Sequence, residues 1–163
     1  IPMGGSAMQA GGAMLPWPDG RVWLPTPVGV IEALPGTPPS RLSQHRANSI
    51  FRNRETGEIA VVGGTIERWN GTRFVPVIFR ISEPAHHKAA GHPIDVAIDR
   101  RGRWFILYSR GRIVLLDAQR EFVTSLGPED GIPPSVNRMI YVPPSDSLLL
   151  GTAREGLHEI KWN

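Results

Sequence analysis

No cysteine occurs among the 163 residues, so neither a disulfide nor a thiolate metal site is available. That leaves both the cytoplasm and an envelope compartment open as locations. No apolar run reaches the ~18 residues that a membrane-spanning helix needs. Lysine is scarce as well: of 18 basic residues all but Lys88 and Lys161 are arginine, against 15 acids, for a net charge of +3. Clusters such as Asp99-Arg100-Arg101-Gly102-Arg103 are broken by acid and glycine. They read as solvated charge on turns rather than as a nucleic-acid tract. Residues 1–15, IPMGGSAMQAGGAML, have no positive charge ahead of them and lack the form of a signal peptide. The chain does not open with Met, as expected of a processed or truncated product.

What is abundant is glycine and proline, 18 and 16 residues respectively. That many breakers exclude a helical bundle and suit short elements joined by frequent turns. Apolar segments of four to seven residues, rich in β-branched and aromatic side chains, lie between the turns without a 3.6-residue period. They predict strands.

The strands belong to a repeat. LLLGTAREGLHEI at 148–160 is preceded by similar stretches at 22–32 (VWLPTPVGVIE), 59–69 (IAVVGGTIERW) and 104–115 (WFILYSRGRIVL). Anchored on Trp23, Ala60, Phe105 and Leu149, the copies are spaced 37, 45 and 44 residues apart. A turn signal stands before each anchor: Asp19-Gly20, Thr56-Gly57, Arg101-Gly102 and Ser145-Asp146. A further apolar segment precedes the last three turns, and another short segment follows some copies, as at 73–77 and 121–124. Four short strands at roughly 40–45 residues per unit is the period of a β-propeller blade. Gly29, Gly64, Gly111 and Gly156 fall between the two central strands, where a tight hairpin asks for positive φ.

The last copy, DGIPPSVNRMIYVPPSDSLLLGTAREGLHEIKW at 130–162, resembles the two-component-regulator propeller repeat, whose pattern runs DGL-P-x-x-V-x-x-I-x-x-D-x-x-G-x-LW-x-GT-x-x-GL. Asp130-Gly131-Ile132-Pro133, Val136, Ile140, Leu148, Gly151-Thr152 and Gly156-Leu157 fall on that pattern. Partial copies stand at 19–30 and 63–77. The third copy keeps IDVAIDRRGRWFI at 94–106 but has Tyr108-Ser109 in place of Gly-Thr. The resemblance covers most of 17–163, with two departures. Pro144-Ser145-Asp146-Ser147 replaces the D-x-x-G turn, and residues 35–45 carry three prolines where a fourth strand belongs, which opposes a ladder there. The resemblance implies the ligand-sensing, extracytoplasmic, periplasmic part of a bacterial membrane receptor, with output modules such as histidine kinases or diguanylate cyclases that this chain does not contain.

The expected architecture is all-β, a partial propeller of about four blades of four-stranded antiparallel sheets. Residues 1–16 are expected as a flexible segment or the remnant of a first strand. A partial blade with a Pro-rich connection follows at 17–45, then blades at 46–82, 83–127 and 128–163, the last incomplete. Three to four blades do not close a ring, so the expected partners are the remaining blades of a longer chain or a second copy.

Candidate chemistry is sparse. His86, His87 and His92 in EPAHHKAAGHP, with Glu83, could be imagined around a metal, but adjacent side chains point apart and the stretch reads as solvated loop. His45 and His158 read as isolated surface residues. No nucleophile-elbow pattern occurs. Asn48, Asp95 and Asn137 could face a channel. Asn48 and Asn137 hold equivalent repeat positions and predict a repeated structural hydrogen bond. Asp99 reads as an Asx-type turn residue. Trp17, Trp23, Trp69, Trp104 and Trp162 read as packing between blades, with Trp17 and Trp162 the alternatives for a sugar platform.

No catalytic, cofactor or metal residue is assigned, and no cofactor is expected. If a binding face exists, the fold analogy puts it at the turns bearing Arg110 and Arg154 and at the connections containing His92 and Asp130, where two arginines suit a small anionic or sugar-acid ligand. The reading is a non-catalytic sensing or binding segment. The alternatives are a metal-dependent lactonase- or lyase-like propeller enzyme and a protein–protein interaction platform.

Overall fold

Short extended segments cannot satisfy their own backbone donors and acceptors, so each must pair with a neighbour. In the computed structural model, which describes residues 14–77 and 91–162, they pair as four separate antiparallel sheets. The first contains β1 (Leu15–Pro16), β2 (Val22–Thr26), β3 (Gly29–Ala33) and β4 (Ser40–Arg41). The second contains β5 (Ala47–Arg52), β6 (Ile59–Gly63), β7 (Ile66–Trp69) and β8 (Phe74–Pro76). The third contains β9 (Pro93–Ile98), β10 (Trp104–Tyr108), β11 (Arg112–Leu116) and β12 (Phe122–Leu126). The fourth contains β13 (Val136–Val142), β14 (Ser147–Thr152) and β15 (Leu157–Lys161). In each sheet the strands lie side by side in chain order.

The sheets converge on their first strands: β1 touches β5, β5 touches β9, and β9 touches β13. This is the radial arrangement of propeller blades, and the chain is an all-β partial propeller. Side chains alternate across a strand, so each of the two middle blades buries one set against the blade before it and the other against the blade after. Ile59 and Val61 of β6 join Leu15, Trp23 and Val30 of the first blade, whereas Ala60 and Val62 join Val96, Ile98 and Trp104 of the third. Likewise Trp104, Ile106 and Tyr108 of β10 face the second blade, while Phe105 and Leu107 face Met139, Leu148 and Leu150 of the fourth. All five residues of β10 are buried, which is why WFILY shows no polar alternation. Each such side chain contributes roughly 1.5–3 kcal/mol of transfer free energy.

The prolines at 35–45 do not prevent a fourth strand in the first blade. Ile31 pairs with Arg41 and Glu32 with Ser40, and Pro35, Pro38 and Pro39 all precede that two-residue ladder. Pro144-Ser145-Asp146-Ser147 still makes the turn. Asp146 adopts φ 48°, the left-handed conformation that Gly20, Gly57 and Gly102 supply in the other three blades.

Two expectations need correction. Gly29, Gly111 and Gly156 have positive φ, but Gly64 does not. In that hairpin the constraint falls on Gly63, where a Cβ would stand 1.8 Å from the Arg46 carbonyl oxygen. Asn48 and Asn137 share no repeated hydrogen bond either. The Asn48 amide oxygen accepts from Arg46 Nε, whereas Asn137 is exposed and its backbone oxygen accepts from Arg138. What they share is a register shift, between Ala47 and Ser49 in one blade and between Val136 and Arg138 in the other. Each is the extra residue of an inner-strand β-bulge.

Candidate functional site

The buried polar contacts between blades begin at the inner strands. Asp95, on β9, is 5% exposed and holds three blades together. Ser49 Oγ of the second blade donates to its Oδ1 at 2.5 Å, and Met139 N–H of the fourth donates to its Oδ2 at 2.8 Å. Val96 N–H adds a third bond at 2.9 Å. Burial pushes the Asp95 carboxyl above its ordinary value, against the pull of these donors and of the nearby Arg138 charge. Among the sequence candidates, Asp95 is therefore a structural pin whose two oxygens are both occupied.

The other buried acids are similarly committed. Asp99 Oδ1 accepts from Arg101 N–H and Arg103 N–H, each at 2.9 Å, and its Oδ2 lies 2.6 Å from Arg103 Nε. It is the Asx-type turn residue expected from sequence. Glu67 accepts from Ser43 Oγ at 2.7 Å and lies 3.0 Å from His45 Nδ1, so His45 is not an isolated surface residue. His158 Nε2 also has a neighbour, Glu155 at 4.0 Å. Among the described residues no group of three or more His, Asp or Glu side chains converges as a metal site. His86, His87 and Glu83 lie outside the described residues.

The five tryptophans all sit at blade interfaces. Trp23 packs edge-on to Trp69 at 4.8 Å and lies 5.0 Å from Trp17, while Trp162 meets Phe105 at 5.6 Å. Trp104 is fully buried between the second and third blades.

At one end stand the second-to-third-strand turns and the connections between blades, the face favoured from sequence. Arg110 and Arg154 are exposed there on separate turns, and no hydrogen bond or ion pair joins them. Asp130 accepts from Gly127 N–H at 2.9 Å within its own turn, and His92 N–H donates to Ser109 Oγ at 3.2 Å. A hollow of about 260 Å³ on this face is lined by Arg46, Asn48, Gly63, Gly64, His92 and Pro93.

At the opposite end the first-to-second-strand turns form a continuous row. The Asn53 amide donates to the Ile98 and Asp99 carbonyl oxygens of the next blade, at 3.1 and 2.9 Å. Arg100 and Arg101 of the third blade each lie 3.6 Å from Asp146 Oδ2 of the fourth. Asp146 Oδ1 accepts from Tyr141 Oη at 2.8 Å, and that bond, with the neighbouring arginine charges, holds the Asp146 carboxyl below its ordinary value. Arg52 and Arg21 both stack over the Trp17 ring, at 4.9 and 5.2 Å from its centroid.

Within this row opens a cleft of about 370 Å³, walled by Phe51, Arg52, Arg54, Ile98, Ile140 and Tyr141. An adjoining hollow shares Arg52, Asn53 and Arg54 and extends to Trp17. None of Arg52, Asn53 and Arg54 was singled out from sequence. The signal existed, because Asn53-x-x-x-Gly57 occupies the repeat position of Asp99-x-x-Gly102, and Asn and Asp favour the same turn roles.

No protein-family model and no curated protein matches the sequence. Among solved structures, the extracellular domain of BT4673 from B. thetaiotaomicron, described as a hybrid two-component system, matches 97% of this chain at a TM-score of 0.70 and 15% identity. The corresponding domain of BT3049 matches 90% at 0.63 and 13% identity. YCF48, solved with a D1 peptide bound, matches 98% at 0.61 and 15% identity. The chain spans 24%, 21% and 51% of those structures respectively. At these identities the likeness is one of fold, and it agrees with the resemblance of the repeats to the two-component-regulator propeller. Among the described residues no helix is long and apolar enough to cross a membrane.

Proposed function

We propose that this chain is a segment of the ligand-sensing, extracytoplasmic propeller of a bacterial signalling receptor, completed by further blades and acting by binding rather than by catalysis. The observation that carries the reading is the fold likeness, which extends over 97% of the chain to an extracellular domain of a hybrid two-component system while occupying a quarter of it. The chemistry of the buried acids is consistent with this. Asp95, Asp99 and Glu67 each accept bonds that hold turns and blades, which is a structural use of these carboxylates. The open hollows at both ends carry arginine instead, which suits recognition of anionic ligands.

The test is a ligand screen by thermal unfolding of the purified chain, with small carboxylates and uronic-acid oligosaccharides as probes, run beside a lactone-hydrolysis assay with added divalent metal. Binding without turnover is the expected outcome, since a ligand held only by the folded state raises its midpoint. Metal-dependent turnover that is lost on chelation would overturn the reading in favour of a lactonase-like enzyme.

A further inference from the structure

At the end of the second-to-third-strand turns, the hollow of about 260 Å³ lies where the inner strands of the second and third blades begin. Each of those blades packs between two others of this chain, so blades added beyond the first or the fourth do not cover it. Arg46 and His92 hold the same repeat position, each directly ahead of its inner strand. The same backbone bond fixes both. The Arg46 carbonyl accepts from Gly64 N–H at 3.0 Å, and the His92 carbonyl accepts from Ser109 N–H at 2.9 Å. Asn48 is the extra residue of the bulge in β5, and a bulge turns a side chain out of the regular alternation. Its Oδ1 accepts from Arg46 Nε at 3.2 Å, which orients the guanidinium. Asn48 Nδ2, both Arg46 Nη groups and the His92 ring have no partner among the described residues.

No carboxylate lines this hollow, and Pro93 is its one apolar side chain. Gly63-Gly64 forms the rest of the wall and leaves it open, since a Cβ at 64 would meet only Arg46 Cβ, at 4.0 Å. The corresponding junction between the third and fourth blades is built differently. Ile94 is the bulge residue there, Ser135 precedes β13, and Ser109-Arg110 stands in place of the two glycines. Unpaired donors therefore converge on open space at the first junction and not at the second. A guanidinium meets a carboxylate through two parallel N–H bonds, and an imidazole presents an N–H in either charge state. We propose that this hollow binds the carboxylate of a sugar acid, its head between Arg46 and His92 and a hydroxyl on the Asn48 amide. At a liquid's roughly 30 Å³ per water-sized unit, the space holds a carboxylate and the near part of a sugar ring. With almost no apolar wall, the hollow offers nothing to a hydrophobic body. The site rests on the sensing reading and supplies its ligand class.

The experiment titrates the purified chain with galacturonate, galactose and acetate, followed by calorimetry and backbone-amide NMR. Galacturonate is expected to bind saturably, with galactose and acetate about tenfold or more weaker, because each lacks one half of the recognition. Arg46→Gln is expected to weaken galacturonate about tenfold or more, and His92→Ala to weaken it several-fold. Both side chains are exposed, so these variants retain the fold, which an unchanged unfolding midpoint verifies. Arg41→Gln, on an outer strand, is expected to leave binding unchanged. The proposal is overturned if galacturonate does not bind saturably, or if galactose or acetate matches it. It is also overturned if Arg46→Gln and His92→Ala bind normally while Arg110→Gln/Arg154→Gln does not. That result would leave the sensing role intact and move its site to the neighbouring turns. Metal-dependent turnover of a sugar lactone would instead overturn the sensing reading on which the site rests.

Discussion

Replacing Asp95 tests whether a single carboxylate fixes the relation between three blades. The first strand of each blade is a sheet edge, and its inward N–H groups have no ladder partner on that side. Asp95 supplies acceptors for two of them, Met139 N–H and Val96 N–H, and for the buried Ser49 hydroxyl. In Asp95→Ala the hydroxyl can rotate toward another acceptor, but the two N–H groups cannot. Each buried unsatisfied donor costs about 1–3 kcal/mol. Removing a buried charge returns part of that loss, because burial is the largest influence on this carboxyl. The expected net destabilisation is about 2–4 kcal/mol, or about 5–15 °C in midpoint for a chain of this size. Asp95→Asn is more informative. Turned so that its oxygen meets Met139 N–H, its amide faces the Val96 donor; flipped, it faces the Met139 donor. Either way one N–H is lost, at about 1–3 kcal/mol.

The pH dependence follows from the same site. The folded-state pKa of Asp95 is raised above 3.8, so the folded chain binds this proton more readily than the unfolded one. Its contribution is fully present below 3.8 and lost as the pH rises through the raised folded value. Wild-type stability measured against Asp95→Asn should therefore rise on acidification and then level off. Urea unfolding of the three proteins across acidic pH reads all of this. An Asp95→Ala variant within about 0.5 kcal/mol of wild type would refute the pin, since that is the scatter of ordinary surface changes.

Gly63→Ala and Gly64→Ala should separate sharply in denaturant unfolding. A Cβ at 63 overlaps the Arg46 carbonyl oxygen at 1.8 Å and should cost about 1–3 kcal/mol or more, whereas one at 64 comes no nearer than 4.0 Å to Arg46 Cβ and should cost little. Asn53→Ala removes both amide bonds to the third blade and the acceptor for two turn N–H groups, and should cost about 1–3 kcal/mol in the same assay.

The blade architecture was legible because it is written locally and several times. Period, turn glycines and apolar segment length all reflect constraints within a few residues, and repetition multiplies weak signals. Gly111 and Gly156 could be read as turn residues for that reason. Gly64 could not be told from Gly63, because the atom that demands glycine, the Arg46 carbonyl oxygen, arrives from the connection before the blade. Alignment correctly equated Asn48 with Asn137, but a bulge and a hydrogen-bonding position look alike in sequence. The 94–106 segment likewise could not reveal that Asp95 bonds Ser49 and Met139, 46 and 44 residues away. Arg52 and Arg54 were passed over because a charged residue beside a turn is ordinarily solvated. The rest of the cleft's lining, Ile140, Tyr141 and Pro143, comes from the fourth blade, far along the chain.

That distinction bears on how such an arc would respond to a ligand. Apolar contacts between blades are non-directional, so Ala60, Val62, Ile106 and their neighbours favour closeness without setting a unique angle. The angle is set by directional bonds, and these concentrate at the inner strands and the first turns: Asp95 to Ser49 and Met139, Asn53 to Ile98 and Asp99, Asp146 to Arg100 and Arg101. The cleft lies among these bonds, between Arg52 and Arg54 of the second blade and Tyr141 and Pro143 at the end of the fourth blade's first strand. A molecule touching both blades gains its full contact only when they hold one mutual arrangement. Its binding free energy therefore favours that arrangement over any in which the turns have parted. A hollow confined to a single blade would lack that leverage, however tightly it bound.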